Sequence, residues 1–213
     1  MIINWLGNSA FKIQDKEVVI AIDPYSDKIG LKMPKFQADI VLITHDHEDH
    51  NNLEAIKGEP FLIDNPGEYE VKNVFIYGIS GFHDNKEGAE RGKITMYLLE
   101  IEGIKIAHLG DIGQHNLTSE QLELLEGADI LMIPVGGNFT IDGAEASEII
   151  SQVQPRIVIP MHYKIPGLNL KLEPVDKFLK EFGVTSSEKM EKLKISKKDL
   201  PQEETKVIIL EKI

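Results

Sequence analysis

At 213 residues the chain is long enough to bury a sizeable core, and we expect a single domain over residues 1–213. It contains no cysteine, which excludes disulfides, thiolate zinc fingers and a cysteine nucleophile, so any metal must be held by nitrogen and oxygen. The formal net charge of −12 argues against a nucleic-acid partner held on a broad basic surface, although ions in a site reverse the local potential and recruit phosphate or carboxylate groups. No run approaches the roughly 18 apolar residues of a membrane span, and Met1 to Leu6 lacks the basic stretch and apolar core of a secretory signal. The expectation is a soluble cytoplasmic protein with no membrane partner.

The first residues read as a meander of strands at Ile2 to Leu6, Ala10 to Ile13 and Val18 to Ile22, the third stopping at Asp23-Pro24 because proline cannot donate to a central ladder. Ile40 to Thr44 is a fourth strand, and Asn52 to Lys57 suits one or two helical turns. Strands follow at Phe61 to Ile63, Tyr69 to Val71 and Val74 to Ile79. Ile94 to Ile101 and Ile104 to Leu109 flank Glu102-Gly103, a dipeptide suited to a tight hairpin. Thr118 to Glu126 opens as a capping box with Gln121, and Asp142 to Val153 repeats the device with Glu145. Between and after these helices lie strands at Ile130 to Val135 and Arg156 to Ile159. The Lys-rich stretch from Lys189 to Lys198 reads as an exposed face. The pattern is mixed α/β, with helices outside the sheets.

Residues 44 to 51 read Thr-His-Asp-His-Glu-Asp-His-Asn, which places His45, His47, Asp49 and His50 within six positions and uses three of only seven histidines. A neutral imidazole suits a borderline metal such as zinc, and a carboxylate adds a harder ligand. In an extended segment residues i and i+2 share a side, so His45 and His47 can grip one ion, while Asp49 and His50, where the chain should turn into a helix, face elsewhere and could serve a second. His45, His83, Asp111, Asn138 and His162 each lie just beyond a strand, where a site can be assembled on rigid supports. Asp23 suits either an Asp-Pro turn or a carboxylate that takes the free ring N–H of a liganding histidine. His108 suits a partner behind the ligands, a proton carrier or a hydrogen-bonded structural histidine, and His115 reads as surface or loop. Gly67 to Glu70 and Gly136 to Thr140 read as loops near the site.

Trp5-Leu6-Gly7, Ile20 to Pro24, Thr44 to His50, His108 to Asp111, Ile133 to Gly137 and Pro160 to Tyr163 together resemble the metallo-β-lactamase-fold hydrolases, over nearly the whole chain. The resemblance is closest to the small branch that includes ascorbate-6-phosphate lactonase-like proteins and uncharacterised metal-dependent hydrolases. It implies an αββα sandwich of two mixed sheets flanked by helices. It implies a first metal site of His45, His47 and His83 and a second of Asp49, His50 and His162, with Asp111 bridging. Asp111 and Asp49 are then the catalytic carboxylates. Relatives commonly carry histidine after Trp-Leu-Gly where this chain has Asn8, which points to a different substrate range with metal binding retained.

Two divalent ions sharing Asp111 would also share a water whose pKa falls towards neutrality, giving a bridged hydroxide. No Gly-x-Ser-x-Gly elbow offers a serine alternative. The expected function is hydrolysis of a small ester, lactone or phosphodiester, a phosphorylated molecule included. The expected cofactor is a pair of divalent ions, with zinc the natural fit and Mn2+, Fe2+ or Ni2+ also served by such ligands. Two other classes stand beside it: a metal-binding or regulatory protein without turnover, and a di-iron oxidoreductase. Oxygen-reducing members of the superfamily tend to carry glutamate where His47 stands and a flavin domain absent here.

Overall fold

Alternation along short strands decides which way the sheets face. In the computed structural model, which describes residues 1–184 and 187–213, the early strands are β1 (Ile2–Gly7), β2 (Ala10–Gln14), β3 (Val19–Ile22), β4 (Phe36–Gln37), β5 (Ile40–Leu42), β6 (Ile56–Lys57) and β7 (Phe61–Ile63). Then come β8 (Gly67–Val71), β9 (Val74–Phe82), β10 (Lys93–Ile101), β11 (Ile104–His108), α1 (Ser119–Leu125), β12 (Ile130–Pro134), α2 (Gly143–Val153) and β13 (Ile157–Met161). The chain closes with α3 (Val175–Glu181), β14 (Glu188–Met190), β15 (Leu193–Lys194) and β16 (Lys206–Leu210).

The first sheet has the order β15-β1-β2-β3-β5-β7. Ile3, Trp5, Phe11, Ile13, Ile20, Ile22, Ile40 and Leu42 join the main core, while Leu6, Ala10, Ala21 and Val41 join a smaller one on the opposite face. That division follows from the two-residue period of a strand. The second sheet, β14-β16-β13-β12-β11-β10-β9-β8, contributes Tyr97, Leu99, Ile106, Leu131 and Ile159 to the main core. Its central strands β12 and β13 are buried at every position, as parallel strands covered on both faces must be. Each fully buried Leu or Ile is worth about 1.5–3 kcal/mol, so the facing sheets are the main source of stability.

Both capping boxes form: Thr118 Oγ1 accepts from the Gln121 N–H at 3.2 Å, and Asp142 accepts from the Ala144 and Glu145 N–H groups at 3.0 Å each. Glu102 and Gly103 both adopt positive φ, 52° and 73°, the requirement of a two-residue hairpin turn that follows strand twist. The layering expected from the sequence is present with one difference. The helices sit on the second sheet, α1 against β9 and α2 against β12 and α3, whereas the outer face of the first sheet is covered by the segment from Tyr25 to Ala38, whose only helical piece is a 3-10 turn at Asp27–Ile29.

Three local expectations change. Asn52 to Lys57 is a 3-10 turn at Leu53–Ala55 followed by β6, which pairs with β4. Gly67 to Glu70 is not a loop but the body of edge strand β8 on β9. The lysines between 189 and 198 are exposed as expected, yet Leu193 and Ile195 alternate with them into the core. Helix α3 and strands β14, β15 and β16 have no counterpart in the sequence reading. The N-cap of α3 is Pro174, which makes no side-chain capping bond, so the usual start signal is missing.

An ideal Cβ on Gly136, just after β12, would lie 2.1 Å from the carbonyl oxygen of His162, a backbone atom that cannot swing aside. Gly136→Ala is therefore expected to lower stability by about 1–3 kcal/mol in denaturant titrations. An unchanged midpoint would show that the two segments separate without cost.

Candidate metal centre

Strand direction brings the polar residues to one edge. Antiparallel β2 lies between β1 and β3, and antiparallel β10 between β9 and β11, so β1, β3 and β5 run one way within their sheet and β9, β11, β12 and β13 run one way within theirs. The segments beyond their carboxyl ends carry Asn8 and Ser9, Asp23, Thr44 to His50, His83, Asp111 and His162 respectively, with Gly136 to Thr140 after β12. Every residue expected as a ligand is at this edge.

Two groups of side chains offer ligand atoms within 4.8 Å of one another: His45, His47 and His83, and then Asp49, His50, Asp111 and His162. Asp111 Oδ2 lies 3.1 Å from His50 Nε2, 3.2 Å from His162 Nε2 and 3.8 Å from His83 Nε2, so it stands between the groups. His45 and His47 converge, with ring centroids 4.5 Å apart, but not because the backbone is extended. The chain bends so that the His47 N–H reaches the His45 carbonyl at 3.1 Å, and the His50 and Asn51 N–H groups both reach the His47 carbonyl. The bend carries Asp49 and His50 to the second group.

Behind the ligands a hydrogen-bond relay settles the tautomers. Asp23 Oδ1 accepts from the Thr44 N–H at 2.8 Å, and Oδ2 accepts from Thr44 Oγ1 at 2.7 Å and from His50 Nδ1 at 2.9 Å. With its own proton committed to Asp23, Thr44 Oγ1 accepts from His45 Nδ1 at 2.9 Å. His45 Nε2 is then a bare lone pair, buried with no hydrogen-bond partner, which is what a metal-ligating imidazole presents. Asp23 thus fills both roles open to it, turning the chain at φ 46° before proline and orienting two imidazoles. Thr44 and Ser9, whose Oγ donates to Asp111 Oδ1 at 2.9 Å, were missed as functional residues, although Thr44 is part of the ligand-rich octapeptide.

Asn8 is buried, and its Nδ2 donates to the backbone carbonyl and Oδ2 of Asp49, both at 3.3 Å. It steadies Asp49, one of the expected ligands. His108 donates from Nε2 to the Ser9 carbonyl at 2.9 Å and accepts from the Gly110 N–H on Nδ1 at 3.1 Å. With both nitrogens held by backbone, it is a structural histidine that ties together the segments carrying Ser9 and Asp111. His115 is a half-exposed loop residue bonded to Asn85 and paired with Glu145 at 2.7 Å. Asn138 lies at the same edge but is exposed, its amide turned to the Lys171 carbonyl at 3.0 Å.

Burial and crowding set the charge states. Desolvation, reinforced by His50, pushes His45 from the ordinary 6.5 down to about 2, and burial likewise lowers His83 and His108. Burial also opposes a charge on His50, yet the surrounding carboxylates of Asp111, Asp49 and Asp23 outweigh it and raise this one imidazole well above 6.5. Burial works against the charge on Asp111 too, but His162 and His50 beside it hold its carboxyl well below the usual range.

Two outcomes are expected. Asp23→Asn, which removes the charge behind His50 and Thr44, should weaken metal affinity by about 10–100-fold in a chelator competition; unchanged affinity would mean the relay is dispensable. In protein held with excess chelator, unfolding must protonate His45, His83 and His108 below about pH 6.5, so the unfolded chain binds more protons and stability falls with pH. His50, raised in the folded state, contributes in the opposite sense, with stability lost only as pH rises through its raised value. With three against one, denaturation midpoints should drop between pH 7 and 5; a flat profile would contradict this balance.

The description "Beta-lactamase superfamily domain" matches residues 2–162 of the chain. A UPF0173 protein of Pyrococcus abyssi is 35% identical over 192 residues, covering 78% of this chain and 85% of its own. A UPF0173 metal-dependent hydrolase of Lysinibacillus sphaericus is 31% identical over 197 residues, covering 76% and 85%. A Thermotoga maritima structure assigned to the Zn-dependent hydrolases of the metallo-β-lactamase superfamily superposes with a TM-score of 0.81 at 35% identity, covering 98% of this chain and 97% of that one. The chain belongs to the metallo-β-lactamase superfamily, within its UPF0173 group of metal-dependent hydrolases.

Proposed function

We propose that the protein hydrolyses a small ester, lactone or phosphodiester at a two-metal centre, with His45, His47 and His83 holding one ion, Asp49, His50 and His162 the other, and Asp111 shared. The observation that carries this reading is Asp111 Oδ2, a single buried oxygen faced by imidazoles from both groups. An all-nitrogen-and-oxygen set suits zinc, and also manganese, iron or nickel. When bound, such ions supply a nucleophilic water at neutral pH and polarise the oxygen of the scissile group.

The chain's own residues do the rest. Ser9 occupies Asp111 Oδ1, so that carboxylate presents Oδ2 alone to the ligands. Asp49 is the only carboxylate of the set with an open edge, its side chain 21% exposed against 3% for Asp111. It is therefore the group placed to pass a proton to solvent after attack, while Asn8 limits its rotation. His47 is exposed and lies on the side from which substrate enters.

Metal-depleted protein reloaded with zinc or manganese should hydrolyse members of a panel of lactones, phosphodiesters and carboxylic esters, and lose that activity with chelator. Asp111→Asn should cost at least about a hundredfold in kcat/KM, the scale of one lost electrostatic contact in a transition state. A reloaded protein inert on the whole panel would favour a metal-binding protein without turnover. Iron content with charge-transfer bands in the visible spectrum would favour the oxidoreductase.

A further inference from the structure

The chain has two arginines, and they are used differently. Arg156 is paired with Asp129 at 3.3 Å on the far side of the sheet from the ligand edge. Arg91 is exposed, has no carboxylate partner among the described residues, and lays its guanidinium over the ring of Phe139 at 4.7 Å.

The position of this pair is set by the metal centre. Arg91 ends the loop that follows His83, and the loop closes when the His83 N–H bonds to the Gly92 carbonyl at 3.0 Å. Asp84, next to His83, gathers four backbone N–H groups of that loop, from Lys86, Gly88, Glu90 and Arg91, at 2.7–3.0 Å. Those bonds use the backbone of Arg91 and leave its side chain free. Phe139 belongs to the loop after β12, which is tied to the Asp111 segment by the Ile141 N–H on the Ile112 carbonyl at 2.9 Å. Strands β9 and β12 are three ladder steps apart in the sheet, about 14 Å, with β10 and β11 between them. A contact that joins their loops passes across the end of β11, from which Asp111 is hung.

We infer that Arg91, seated on Phe139, is a specificity-determining residue that binds an anionic group, carboxylate or phosphate, on the part of the substrate remote from the bond cut. Stacking on an aromatic face holds the guanidinium plane while its N–H edge stays available to an oxyanion, the arrangement in which arginine outperforms lysine. A loop already organised by Asp84 loses little entropy when the anion binds. The inference rests on the hydrolase reading only for where the scissile bond lies.

The test is calorimetric binding of three matched anilides to the metal-loaded protein: the monoanilide of glutaric acid, the same chain ending in phosphonate, and neutral pentananilide. At least one anion should bind about tenfold or more tighter than pentananilide, and Arg91→Gln should remove that advantage while leaving pentananilide unchanged. Which anion gains more tells carboxylate from phosphate. Equal affinity for all three, no binding of any, an advantage that survives Arg91→Gln, or a loss common to all three would each overturn the inference, the last by reducing Arg91 to a loop latch. Turnover of the matching p-nitrophenyl esters is scored separately. Arg91-dependent binding without turnover sinks the hydrolase reading alone, and turnover blind to the distal charge sinks this inference alone.

Discussion

One buried oxygen, Asp111 Oδ2, faces the Nε2 atoms of His50, His83 and His162 at 3.1–3.8 Å, and the arrangement of the whole site depends on it. A carboxylate taken out of water is costly unless positive charge and hydrogen bonds replace its hydration. Here Ser9 satisfies one oxygen and the imidazoles converge on the other. Burial nevertheless favours the neutral form of His45 and His83, and His50 is the imidazole that the carboxylates of Asp111, Asp49 and Asp23 raise. Divalent cations satisfy neutral imidazoles and anionic carboxylates together, so the grouping suits a metal better than a proton-relay triad.

The relay behind the ligands shows how rigidity is transmitted to that oxygen. Asp23, Thr44 and His50 are linked by bonds of 2.7–2.9 Å, and Thr44 passes the constraint to His45. Across the site, His108 joins the Ser9 and Gly110 backbones, so the two atoms that position Asp111 are braced by a single imidazole. Trp5 adds a further tie: its indole N–H donates to the Asn8 carbonyl at 2.9 Å, which also accepts from the His162 N–H at 3.1 Å, while its ring stacks on Tyr163. The two sheets are thus joined at the ligand edge by polar bonds as well as by the apolar core between them.

The residues that converge at this edge were legible because the cluster is written in residue type. His45, His47, Asp49 and His50 are contiguous, and His83, Asp111 and His162 each follow a recognisable apolar strand. What the sequence hid was direction and connectivity. The convergence of His45 and His47 comes from a bend closed by backbone bonds, which a two-residue spacing does not distinguish from an extended run. Ser9 and Thr44 are common residues whose roles exist only because β1 and β5 end beside the Asp111 segment. Helix α3 lacks a capping side chain, while β16 had a visible apolar run at Val207 to Leu210 but needed β13 as its partner to be placed. The Tyr25 to Ala38 segment covers a sheet face with loop rather than helix, and loops carry no period to read.

Exposure around the centre is uneven, and that unevenness bears on function. His50 is fully buried, and His45, His83, Asp111 and His162 are nearly so, whereas His47 is exposed and Asp49 half-buried. The closed side is occupied by Asp23, Thr44, Ser9 and His108, all fully or almost fully buried. Among the seven clustered side chains, His47 and Asp49 are the ones open to solvent. A site built for storage or structure gains by closing every ligand off, since exposed ligands lower affinity and admit competitors. An edge left open beside His47 and Asp49 is instead what the proposed hydrolysis requires.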